Sequence, residues 1–153
     1  MGKLTTFVLF AMCLVGCASG PAPAVHGNFV TGITTVDSKT MADDMAKKLA
    51  TLYPPARIRI NLQQPTPDAF GASLVTALRT TGYALKEFTS AKSAGATVSA
   101  AAPEDSALAY SVDQQLEAGL YRVTVHINSQ LLSRLYQINN GQIAPASYWV
   151  RKE

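Results

Sequence analysis

Cys17 is the residue of this 153-residue chain best equipped to do chemistry. Its thiol stands directly behind Leu14-Val15-Gly16, a run of aliphatic and small residues. Sulfur is the most nucleophilic side-chain atom near neutral pH, and small neighbours let a processing enzyme approach the backbone. The remaining candidates offer less. The chain has two histidines. His26 lies in a Pro- and Ala-rich stretch, and His126 falls on the polar side of an alternating segment. Neither has a Cys, His or acidic cluster at ligand spacing, so both read as surface histidines. Asp43 and Asp44 are adjacent on a helical pattern and do not converge. Lys47 and Lys48 follow four residues later, which reads as a solvated, ion-paired face. Arg57 and Arg59 alternate along a strand pattern and read as solvated, with an acidic partner as the other reading. Trp149, the single Trp, reads as core, with an interface anchor as the alternative. No G-x-S-x-G stretch and no phosphate-binding glycine loop is present. The expectation is no catalytic activity, no metal and no small-molecule substrate.

The elements around Cys17 are those of an export signal. Met1 to Lys3 is a short basic start, and Leu4 to Val15 is almost wholly apolar or small. Such a stretch suits a signal peptide and is too short to span a bilayer. Gly20, Pro21 and Pro23 would break any helix that continued. Leu14-Val15-Gly16-Cys17 resembles the lipobox of bacterial lipoproteins. The resemblance implies a signal peptide over residues 1–16, cleavage before Cys17, and N-acyl and S-diacylglycerol groups on that residue, with no other cofactor. Cys13 would leave with the signal, so no intrachain disulfide remains possible. Ala18, where enteric-type lipoproteins retained at the inner membrane carry Asp, points to the outer membrane. Residues 17–36 then form a lipidated tether. Within it, Asn28, Phe29, Val30 and Ile33 offer a short apolar strand, read either as the start of the domain or as a partner-docking segment.

Composition bounds the rest. Charged residues make up 15% of the chain and hydrophobic ones 48%, so a core is available and full-length disorder is excluded. Thirteen Lys and Arg against ten acids, spread along the chain, do not make a nucleic-acid footprint. Residues 37–153 read as one globular interaction domain. Asp37 or Ser38 can cap a helix whose Met41, Met45, Leu49 and Leu52 recur at helical spacing, and Pro54-Pro55 ends it. Ile58, Ile60 and Leu62 alternate with polar residues as in a half-buried strand. Thr66-Pro67-Asp68 predicts a second helix, with Thr66 as cap and Pro67 at its first position. Its stripe is Phe70, Leu74, Ala77 and Leu78, and Gly82 is its stop. Tyr83–Phe88 reads as a strand, and residues 89–106 as a flexible Ala/Ser/Thr-rich loop. Alternation returns at Leu108, Tyr110 and Val112 and again at Tyr121, Val123, Val125 and Ile127. A strand over 131–138, a turn at Asn139-Asn140-Gly141 and a last strand ending at Tyr148-Trp149-Val150 follow. The fold expectation is α+β: two helices packed on one face of a mostly antiparallel sheet.

Strung together, several pieces carry a family likeness: the lipobox, GNFV, LYPPA (52–56), LQQPTPDAFGASLVTALRTTGYALKEF (62–88), LSRLY (132–136) and PASYWV (145–150). In this order they resemble the TrbH family of conjugal transfer lipoproteins. The resemblance implies an outer-membrane lipoprotein of a conjugative type IV secretion (mating-pair formation) apparatus, its domain facing the periplasm. It implies TrbG- and TrbI-like core subunits as partners, and a supporting rather than an enzymatic role. By analogy with small lipoproteins of related systems, Gly27–Ile33 would be the docking segment. The helix–strand–helix–strand core also resembles envelope lipoprotein domains of the FlgO and LpoB type. That likeness keeps a second expectation open, a lipoprotein that regulates a cell-wall or surface-assembly enzyme.

Overall fold

The computed structural model describes residues 26–89, 104–115 and 119–152. In chain order they form β1 (Gly27–Asn28), α1 (Thr35–Leu52), β2 (Ile58–Leu62), α2 (Ala69–Thr80) and β3 (Ala84–Lys86). The strands β4 (Glu104–Gln115), β5 (Leu120–Ile127), β6 (Gln130–Asn139), β7 (Gln142–Pro145) and β8 (Val150–Lys152) follow. All eight strands join one sheet, ordered β3-β2-β4-β5-β6-β7, with β1 also on β4 and β8 also on β6. The fold is α+β, with two helices beside a strand-rich sheet.

Connection length decides strand direction. Helices α1 and α2 carry the chain back after β1 and after β2, and β1, β2 and β3 run parallel to the strands they pair with. From β4 onward β5, β6, β7 and β8 pair antiparallel; two-residue turns join β5 to β6 and β6 to β7, and β8 then follows β7 in the same direction along β6. Positive φ at Asn128, Asn140 and Gly141 turns the chain at those hairpins. The long ladders are the antiparallel ones, and the parallel half is the part that the helix-rich N-terminal segment builds.

The core lies between the helices and one sheet face. Leu108, Tyr110 and Val112 of β4 and Val123, Val125 and Ile127 of β5 are fully buried. They meet Met41, Met45 and Leu49 of α1 and Phe70, Leu74 and Leu78 of α2 in one cluster. These are the apolar residues that the helical and strand periods single out.

The helix starts differ from expectation. Thr34, not Asp37 or Ser38, is the N-cap of α1: its hydroxyl oxygen accepts from Asp37 N at 3.0 Å and donates to Asp37 Oδ2 at 2.7 Å. Asp37 is instead buried, and its Oδ1 accepts from Ile143 N at 3.0 Å, tying the helix start to β7. Asp68 replaces Thr66 as the cap of α2, accepting from Gly71 N at 3.0 Å. In both cases the side chain that reaches the free N–H groups wins over the one that merely precedes the apolar run. Thr66 serves as packing: a Cβ on Gly71 would stand 2.8 Å from Thr66 Cβ and collide with the Tyr110 hydroxyl. Strand β4 begins at Glu104, inside the segment read as loop 89–106, because residues 104–108 pair with β2; the rest of that loop, 90–103, lies outside the described residues. Tyr148 and Trp149 precede β8 rather than ending it.

Candidate functional site

The segment closest to the expected anchor joins the domain. Gly27 and Asn28 pair with Ser111 and Val112, and Phe29 N donates to the Val112 carbonyl at 2.8 Å. The Asn28 side-chain oxygen accepts from Val30 N at 3.0 Å, turning the chain off the sheet. Val30 and Ile33 then pack against the core, while Phe29 stays 55% exposed. Residues 27–36, read as the end of the tether, thus form a strand and lead into α1. Of the four expected docking residues, Phe29 alone presents a large exposed apolar surface. Cys17, Leu14, Val15, Gly16 and Ala18 lie outside the described residues.

Between β1 and β2, the edge of β4 would be left with unpaired backbone at Tyr110. Gln64 fills the gap. Its amide nitrogen donates to Tyr110 O at 3.1 Å, and its oxygen accepts from Tyr110 N at 3.1 Å. One buried side chain thereby mimics a strand residue, as buried peptide groups require. Below it the Tyr110 hydroxyl donates to Asp68 Oδ2 at 2.7 Å, and burial, then that carboxylate, push the phenol's pKa far up.

A second constellation joins α1 to the C-terminal strands. Asp44 Oδ2 accepts from Arg134 Nη1 at 2.7 Å, the Tyr136 hydroxyl at 2.6 Å and Trp149 Nε1 at 3.2 Å. Arg134 also donates to Asp44 Oδ1 at 2.9 Å and, through Nε, to Ser147 O at 2.8 Å. The guanidinium lies 5.8 Å from the centre of the Tyr136 ring and 6.0 Å from that of Trp149. Burial, then the Asp44 carboxylate, raise the Tyr136 pKa far above its ordinary value. The reading of Asp44 as a solvated acid paired with Lys48 is therefore corrected. On α1 the short ion pair is Lys39–Asp43, at 2.5 Å. The signal for this was in β6: Arg134 shares the buried parity of Leu132 and Tyr136, and a charge there needs a buried partner. Trp149 is half-buried and packs on the core, as read. Arg59 finds its acid within the chain, pairing with Asp105 at 2.5 Å.

A groove of about 630 Å³ runs between α1 and α2, lined in part by Ala46, Ala72, Thr76, Ala77 and Thr80. The hydroxyls of Thr76 and Thr80 donate to the carbonyls of Ala72 and Thr76, so these two groups are satisfied within the helix. Ala46 and Ala77 border the core, but the rest of the groove lies off the buried stripe, which is all that helical periodicity reports.

The two histidines, read as unrelated surface residues, are in contact. Their ring centroids are 5.1 Å apart. Among the described residues, no group of three or more His, Cys, Asp and Glu stands together to hold a metal, and no helix is long and apolar enough to cross a membrane. The chemistry that the geometry offers is packing and hydrogen bonding: an open sheet edge at β1 with Phe29 beside it, and a helix groove.

No curated protein and no solved structure matches the chain. The family model described as conjugal transfer protein TrbH matches residues 22–153, most of the chain. The chain belongs to the TrbH family of conjugal transfer proteins.

Proposed function

We propose that this conjugal transfer protein is an outer-membrane lipoprotein subunit of a type IV secretion apparatus, supporting the outer-membrane core complex from the periplasmic side. Acyl chains on Cys17 hold it to the bilayer, and it works by binding rather than by catalysis. The observation that carries the reading is the order of the pieces: a lipobox ending at Cys17, then family sequence from residue 22 onward. Each buried CH₂ of lipid contributes about 0.8 kcal/mol, so two or three chains hold a protein stably where one does not. His26 is nine positions beyond Cys17, so the domain stays within about 30 Å of the anchor. Confinement to that layer raises its effective concentration for partners in the same plane.

The partner-facing surface in this reading is β1 with Phe29. Within the described residues β1 pairs on one side only, with β4, so its other edge can accept a strand from a TrbG- or TrbI-like subunit. Cys17→Ser tests the anchor: radiolabelled palmitate enters the wild-type protein and not the variant, and the variant leaves the outer-membrane fraction. Phe29→Asp tests the surface: cross-linking to a core subunit falls while the protein stays folded and anchored. Palmitate labelling of Cys17→Ser equal to wild type would overturn the anchor.

A further inference from the structure

The chain's two histidines lie a hundred positions apart, and the fold brings them together. Their rings meet edge to face, with centroids 5.1 Å apart and planes at 70°. His126 projects from β5 on the face of the sheet away from the helices, and its register partner on β4 is Ala109. His26 directly precedes β1, whose Gly27 pairs with Ser111 on the other side of β4. To meet His126, the His26 ring must therefore cross over Ala109. Ala109 is accordingly only 4% exposed, although Ala107 and Ser111, on the same face of the same strand, are exposed and half-buried. A methyl group at 109 leaves room for the crossing. His26 Nδ1 is buried without a hydrogen-bond partner.

We propose that His26 and His126 form an acid-released clasp, fastening the N-terminal strand to the sheet while both rings are neutral and letting it go when they are charged. Neutral aromatic rings attract edge to face, whereas two imidazolium ions at this separation repel. Among the described residues, no opposing charge neighbours them by register. On β4 the neighbours are Ala109 and Ser111, on β5 Thr124, and on β6 Leu131 and Ser133. The nearest charged groups by register are Lys152, beyond Leu131 on β8, the Arg122–Asp113 pair four residues along β5, and Asp105 on β4, held by Arg59. What the clasp fastens is otherwise held by two register pairs, the bond from Phe29 N to Val112 O, and the packing of Val30 and Ile33 on the core.

Burial, and then His26, hold His126 below the ordinary imidazole range in the docked state. A free imidazole titrates near 6.5, so His126 binds a proton more tightly once the segment has undocked. Docking is at full strength above about pH 6.5 and weakens as the pH falls below it. The clasp does not depend on acylation of Cys17.

Hydrogen–deuterium exchange on the full-length protein in detergent tests it. Peptides covering 27–33 are compared with a reference over 120–127, at about pH 7.5 and about pH 5, on either side of the imidazole value. Rates are corrected for the intrinsic pH dependence of exchange. Opening of 27–33 relative to the reference should rise on the order of tenfold on acidification, as two like charges meet at the clasp. In His26→Gln and His126→Gln that acid response should vanish while the reference stays protected. Ala109→Leu, which obstructs the crossing, should leave 27–33 open at both pH values. Wild-type protein with equal opening at the two pH values, or Gln variants that keep the full acid response, would overturn the proposal.

Discussion

Removing the Asp44 carboxylate should unfasten the C-terminal strands from α1. Asp44→Ala strands three donors at once: the Arg134 guanidinium, 18% exposed, the hydroxyl of the fully buried Tyr136, and the indole N–H of Trp149. A buried hydroxyl without a partner costs about 1–3 kcal/mol. Breaking a fully buried ion pair costs about 3–5 kcal/mol. Asp44 and Arg134 keep 28% and 18% of their side-chain surface in water, so solvent screens part of that second cost. A total near 3 kcal/mol is expected, which for a domain of this size lowers Tm by about 6–12 °C. Asp44→Asn retains an acceptor for the phenol and indole and should lose about half as much. Urea unfolding followed by fluorescence measures this directly, because Trp149 is the single Trp and sits in the cluster. Its emission should also shift to the red in the native state of Asp44→Ala. Lys47→Ala with Lys48→Ala is the comparison, expected to cost less than about 0.5 kcal/mol. If Asp44→Ala lost less than about 1 kcal/mol, or no more than the lysine variant, the clasp assigned to this carboxylate would be wrong.

Gly71→Ala reverses the usual helix preference: in place of a gain of about 1 kcal/mol, the new methyl meets Tyr110 and Thr66 and should destabilise by about 2 kcal/mol or more; greater urea resistance would contradict the packing described. Gln64→Leu removes both bonds to the Tyr110 backbone, with an expected loss of about 2–4 kcal/mol and faster amide exchange at Tyr110. Burial raises the Tyr83 pKa to about 12 and those of Tyr110 and Tyr136 further. Stability tied to these phenols is thus present below about pH 10 and lost as the pH rises through their native values. Absorbance titration should find Tyr83→Phe, Tyr110→Phe and Tyr136→Phe unchanged from wild type below about pH 10.5, with divergence only on alkaline unfolding.

Much of this architecture was legible in the residues because it is periodic. Ile58, Ile60 and Leu62, the Phe70–Leu78 stripe, and the alternation through Tyr110 and Val125 each announce an element and its buried side. What periodicity cannot carry is the meeting of residues remote in sequence. Asp44 joins Arg134 and Trp149 across some ninety or more positions, Gln64 serves a strand it does not belong to, and His26 meets His126. Local pattern assigned Asp44 to the nearest lysine and each histidine to solvent, since i,i+4 spacing and chain neighbours are all a local pattern contains. The caps slid by two to four residues for a related reason: Thr34, Asp37 and Asp68 were all available, and tertiary bonds to Ile143 and Tyr110 selected the roles of the two acids. The parallel half of the sheet was not read from the sequence, because its pairing with the far strand β4 is not written in either segment alone.

Plasmid transfer from a donor lacking this gene, complemented in turn by the wild-type chain and by Cys17→Ser, tests the central claim most directly. A lipid-anchored subunit of the transfer channel predicts loss of transfer on deletion, recovery with the wild-type chain, and little recovery with Cys17→Ser although the variant folds and accumulates. Full recovery with Cys17→Ser would contradict the anchored role, and undiminished transfer from the deletion donor would contradict any need for the subunit.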